Sequence, residues 1–172
     1  MELWDVYNAD RERTGKTMPR GDDFEKGALH LVVHVCIFGT DGRMLIQQRQ
    51  KDKQSWPNMW DISVGGSAVV GEDAPTAAMR ELYEELGIRV DLTGIRPRLT
   101  VHFEHGFDDV FIVEKEVNLN ETVLQKEEVQ NVRWATREEI RQMIADGVFI
   151  PYYSSLIDLL FDSRKHYGMH RR

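Results

Sequence analysis

The chain has one cysteine among its 172 residues, which excludes an internal disulfide and fits a reducing, cytoplasmic setting. It also lacks an apolar run long enough to span a membrane. The longest, residues 29–38, is interrupted by His30 and His34. The opening MELWDVYNADRERTGK has no apolar core of the kind a secretory signal needs. Cations are in the minority, 22 Lys and Arg against 29 Asp and Glu for a formal net charge of −7, so neither a nucleic-acid polymer nor an anionic membrane surface is an expected partner. A phosphorylated small molecule remains compatible with that balance, because a bound metal and a few local cations can reverse the sign at a site. Repeats and low-complexity tracts are missing too, and the length suits one buried domain over residues 1–172.

What is there reads as strands with helices interspersed. Leu3–Tyr7 and Thr17–Arg20 are expected as two short strands around a polar turn at Asn8–Gly15, a hairpin extension within residues 1–28. The β-rich residues 29–38 suit a buried strand, and Cys36 within them is expected to be a packing thiol and not a nucleophile. Thr40-Asp41-Gly42 marks a hairpin returning along Met44–Arg49. Residues 50–59 form a loop, closed by a strand over Trp60–Val64. Further strands are expected over Leu99–Phe103, Val110–Val117 and Val129–Trp134. Thr136 with Glu139 makes a capping box opening a helix that stops at Asp146-Gly147, and a last helix is expected over Ser154–His166. Such an order, without regular βαβ repetition, implies an α/β fold with a mixed sheet covered on both faces.

The most informative stretch is residues 66–88, GSAVVGEDAPTAAMRELYEELGI. Asp73 can cap a helix there, Pro75 is tolerated in its first turn and Gly87 stops it. Ala74, Ala78, Leu82 and Leu86 form an apolar stripe, while Glu81, Glu84 and Glu85 share a face near the C-terminal end. Like charges three and four residues apart repel, and a helix C-terminus disfavours anions. A helix carrying this cluster therefore calls for a cation, and an all-oxygen donor set favours Mg²⁺ or Mn²⁺ over zinc. A plain solvated acidic face is the alternative.

The full spacing discriminates between them. The run matches Gly-x5-Glu-x7-Arg-Glu-aliphatic-x-Glu-Glu-x-Gly-aliphatic throughout, a coincidence of about 10⁻⁹ per starting point at ordinary residue frequencies. It resembles the box of the Nudix hydrolases, which hydrolyse a diphosphate joined to some other group X. The resemblance implies an α/β/α sandwich and a small diphosphate-containing substrate of the nucleoside-diphosphate type, and it is compatible with a homodimer. It further implies that Glu84 and Glu85 ligate metal, that Glu81 is a ligand or base, that the Gly65 carbonyl contributes and that Glu72 supports the metal shell. Arg80 would orient Glu81.

Outside the box, Glu128, Glu127 and Glu104 are candidates for the general base that some Nudix subfamilies take from a later loop. Arg49 and Lys53 bracket the 50–59 loop, either as a solvated turn or as ligands of an outer phosphate. The stretch RQKDKQSWPNMWDISVGG resembles isopentenyl-diphosphate isomerases, Nudix-fold proteins that bind diphosphate with an arginine and a lysine. Those isomerases carry a catalytic cysteine where this chain has Gly65, so hydrolysis is the expected reaction. A noncatalytic nucleotide-binding module is the third reading, opposed by the intact box. Trp56 is the best-placed ring for stacking, with Phe103 and Phe107 weaker candidates and Trp60 and Trp134 expected in the core. The pairs His102–His105 and His166–His170 read as surface histidines.

Overall fold

The structure is a computed structural model that describes residues 2–170. Its centre is a seven-stranded mixed sheet. Strands β1 (Leu3–Tyr7) and β2 (Arg13–Pro19) form a separate antiparallel hairpin. The sheet comprises β3 (His30–Phe38), β4 (Met44–Arg49), β5 (Trp60–Asp61), β6 (Val64–Ser67), β7 (Leu99–Phe103), β8 (Gly106–Glu114) and β9 (Val129–Ala135). Its main order is β5-β4-β3-β8-β7, with β6 beside β3 and β9 beside β4. The β3–β8 pair is parallel and the other pairs are antiparallel.

Helix α1 (Ala74–Leu86) covers one face. Asp73 accepts a hydrogen bond from the Thr76 amide, and Gly87 ends the helix in the left-handed region at φ 70°. Ala77, Ala78, Leu82 and Leu86 are fully buried against a core that includes Leu31, Val33, Val35, Ile37 and Leu45. Full burial of Leu82 or Leu86 is worth about 2 kcal/mol each. Helices α2 (Arg137–Ala145) and α3 (Ser154–Asp162) cover the opposite face, over Cys36, Phe38, Met44 and Ile46. The capping box of Thr136 and Glu139 is present. These layers make the α/β/α sandwich, and no helix among the described residues is long and apolar enough to cross a membrane.

Four of the expected elements differ in their bounds. Strand β2 begins at Arg13, inside the anticipated turn, because pairing of Tyr7 with Arg13 and an irregularity around Val6 accommodate Gly15 at φ 81°. The strand expected over Trp60–Val64 is two strands. Between them the Ser63 hydroxyl donates to the Leu45 carbonyl and accepts from the Ile37 amide. Strand β8 starts at Gly106 and not at Val110, and it ends at Glu114, three residues before Val117. Its adjacent aspartates disguise the strand, yet Asp108 pairs with His34 and Asp109 with Arg11 and Thr100. Helix α3 stops at Asp162, four residues early, where Ser163 caps it.

Candidate active site

Strand β6 and helix α1 meet at Gly65 and Gly66, and the two glycines face different neighbours. A Cβ on Gly66 would stand 2.3 Å from the Glu81 carboxyl carbon, so that carboxylate lies directly over bare backbone. A Cβ on Gly65 would stand 2.4 Å from the His34 ring. That ring is held by a 2.6 Å contact between His34 Nδ1 and Asp108 Oδ2. Burial opposes charging of His34, but Asp108, with Asp61 and Glu85, raises its pKa to about 9. A side chain at Gly65 would therefore press on a ring that Asp108 holds in place, and one at Gly66 would have to displace the Glu81 carboxylate.

A cavity of about 180 Å³ opens over this junction. Gly65 lines it together with Gly66, Arg80, Glu81, Glu84 and Glu85 of the box, and Arg49 lines it from the end of β4, Lys53 from the 50–59 loop and Glu128 from the approach to β9. The structure thus brings together residues separated by up to 79 positions. The hairpin adds Glu2 and Arg20, which form a 2.9 Å ion pair, and the segment before β9 adds Gln125. Arg20 escaped sequence reasoning because it follows an exposed hairpin strand and belongs to no motif. A second cavity of about 450 Å³ shares Arg20, Arg49 and Lys53, so three cations border both spaces.

Arg80 organises the acids. Its guanidinium bonds Glu72 (2.8 and 3.0 Å), Glu81 (2.9 Å), Glu84 (3.0 Å) and the Ser67 carbonyl (3.1 Å). Burial opposes its charge, but Glu72 and Glu81 hold its pKa well above the usual range. Glu85 is instead 6% exposed and accepts a 2.9 Å bond from the Gln47 amide. Burial pushes Glu85 up to about 8 and Glu81 up to about 7, with Gln47 and Arg80 respectively acting against the rise. Lys53 forms a short ion pair with Glu128. Arg49 donates to the Ser55 carbonyl and lies 3.7 Å from Asp61.

Other sequence candidates fall elsewhere. Trp56 is half exposed, at φ 50°, and does not line the cavity. Glu127 is exposed, and Glu104 is an exposed acid beside His105 at the β7–β8 turn; neither lines the cavity. Phe107 is 1% exposed, packed on Tyr7 under Arg11, and so is a core residue with no free face for stacking. Cys36 is fully buried, and burial pushes its thiol well above the ordinary range. Histidines 102, 105, 166 and 170 are all exposed.

The donor set suits a hard cation in chemistry: carboxylates over a glycine backbone, two of them pushed toward neutrality by burial. As the side chains stand, no three His, Cys, Asp or Glu among the described residues are gathered closely enough to hold an ion. Glu81 and Glu84 are both engaged by Arg80, and Glu85 by Gln47.

Comparison with known proteins places the chain in a family and gives its fold relatives. The family model of the NUDIX domain matches residues 28–153. An uncharacterised Nudix hydrolase of Listeria monocytogenes is 49% identical over 170 residues, 99% of each chain. An isopentenyl-diphosphate Delta-isomerase of Nocardia farcinica is 29% identical, covering 78% of this chain and 81% of its own. A crystal structure from Deinococcus radiodurans superposes with a TM-score of 0.74 at 23% identity, covering 91% of this chain and 98% of the other. The chain belongs to the Nudix family. It is a hydrolase acting on pyrophosphate bonds.

Proposed function

We propose that the protein hydrolyses a small nucleoside-diphosphate-type substrate by water attack at phosphorus, using Mg²⁺, with Mn²⁺ as the alternative ion. The observation that carries this reading is the convergence of Glu81, Glu84 and Glu85 with Arg49 and Lys53 on one cavity over Gly65 and Gly66. Glu81, Glu84, Glu85 and the Gly65 carbonyl would hold the ion, which when bound neutralises phosphate oxygens and activates water. Arg80 positions Glu81 and Glu84 through the bonds it already makes. Arg49, Lys53 and Arg20 offer cationic donors to the substrate's outer phosphate.

Among the three candidate bases, Glu128 is the one that lines the cavity, and it is held there by Lys53. A phosphate taking Lys53 as its partner leaves the Glu128 carboxylate free to accept a proton from water.

Isomerisation is disfavoured on two counts. The His34 ring leaves no space for a side chain at Gly65, and the sole thiol, Cys36, is sealed in the core on β3. The test is a hydrolysis screen with Mg²⁺ and Mn²⁺ over nucleoside di- and triphosphates, nucleotide sugars, dinucleotides and coenzyme A, run in ¹⁸O-water. Metal-dependent release with ¹⁸O in one phosphate product is the expected result. No release from any member of the panel refutes the proposal.

A further inference from the structure

We propose that Gln47 is a positioning residue for metal binding, its buried amide orienting the Glu85 carboxylate toward the ion. This rests on the metal-dependent reading above.

Gln47 lies on β4, two residues after Leu45, and therefore on the same face of the strand, under α1. It is 2% exposed. Its Nε2 donates to Glu85 Oε2 at 2.9 Å, and among the described residues no other side chain donates to that carboxylate. Its own Oε1 is buried without a partner among the described residues. A buried carbonyl without a partner costs free energy, so this amide is a poor choice for stability alone. Methionine would fill a similar volume without that cost.

The chemistry of the donor explains the choice. Glu81 and Glu84 are steadied by a cation, Arg80, which competes with a metal for their charge. Gln47 is a neutral donor and steadies Glu85 without adding positive charge beside it. The Gln125 backbone N–H also donates to the Glu85 main-chain carbonyl at 2.9 Å. Backbone and carboxylate are thus both fixed before any ion arrives, and Glu85 loses little conformational freedom on binding one.

The test uses the full chain with Gln47→Met and Gln47→Leu, measuring Mn²⁺ affinity by the electron paramagnetic resonance of free Mn²⁺. Both variants should bind Mn²⁺ about 10–100-fold more weakly than the native protein. Their metal-free melting temperatures should stay within about 3 °C of it, the equivalent of roughly 1 kcal/mol. In the native protein, the Gln47 side-chain ¹H–¹⁵N pair should shift during a Mg²⁺ titration with the same midpoint as the Gly66 amide. That measurement decides the matter if both variants fail to fold. Unchanged Mn²⁺ affinity, affinity falling only in step with metal-free stability, or an unmoved Gln47 resonance would each overturn the inference. A native protein that binds no Mn²⁺ and no Mg²⁺ would refute the metal reading itself, an outcome distinct from variants that bind as well as the native chain.

Discussion

Replacing Glu85 with glutamine should damage function and, in the metal-free protein, improve stability. Glu85 is 6% exposed, and burial raises its pKa from 4.5 to about 8 against the opposing Gln47 bond. The folded protein therefore keeps this proton to higher pH than the unfolded chain does. The stabilising contribution is complete below pH 4.5 and is lost as the pH rises through about 8. Taken whole, that shift amounts to roughly 5 kcal/mol, and water entry and relaxation around a buried carboxylate reduce it to about 2 kcal/mol. Glutamine cannot ionise. Its carbonyl can accept the Gln47 bond, and its amide can donate to the unpartnered Gln47 Oε1. At pH 8 without metal, Glu85→Gln should melt about 4–8 °C above the native protein, converging with it near pH 4.5. Mg²⁺ should then raise the melting temperature of the native protein and not of the variant, whose turnover should fall by orders of magnitude. Differential scanning calorimetry from pH 4.5 to 8.5, with and without Mg²⁺, reads all of this. A metal-free variant less stable than the native protein at pH 8 would refute the reasoning.

Three further outcomes follow from other contacts. Lys53→Gln should raise KM by about 10-fold or more through loss of a charge-assisted phosphate bond, and steady-state kinetics showing only a kcat effect would count against substrate contact. Gly65→Ala should cost about 1–3 kcal/mol by overpacking against the His34 ring, with His34→Ala recovering most of it in the double variant; additive denaturation free energies would argue against that contact. His30, buried among Trp4, Phe24 and Phe103, has its pKa lowered to about 4, mainly by burial and then by His105. It is neutral in the fold, so its contribution is present above pH 6.5 and lost as the pH falls through about 4. His30→Phe should remove about 2 kcal/mol of acid destabilisation over that window, with partial solvent screening allowed for, and urea titrations at pH 7 and pH 4 that show no difference between the two proteins would contradict it.

Local chemistry was legible where its signals lay close together in sequence. Asp73, Pro75 and Gly87 bound α1 because caps act within one turn. Thr136 and Glu139 announce α2 for the same reason. The start of β8 was not legible, because Asp108 and Asp109 look like turn residues until His34, Arg11 and Thr100 are known to face them. Arg20 and Gln47 were equally silent, since each acquires its role from a partner on another element.

The spacing of Glu81, Glu84 and Glu85 by itself determined an acidic helix face that calls for a cation, because helical periodicity brings intervals of three and four onto one side; the diphosphate chemistry came from the resemblance of the whole run from Gly66 to Ile88 to the Nudix box. Tertiary structure alone decided what surrounds that face. Burial, a long-range property, separates Glu85 and Glu81, pushed toward neutrality, from the more exposed Glu84. The pairing of β3 with β6 sets His34 against Gly65 and closes the position to a side chain. Folding likewise draws the hairpin, the 50–59 loop and the approach to β9 around the box, placing Arg20, Lys53 and Glu128 in one cavity.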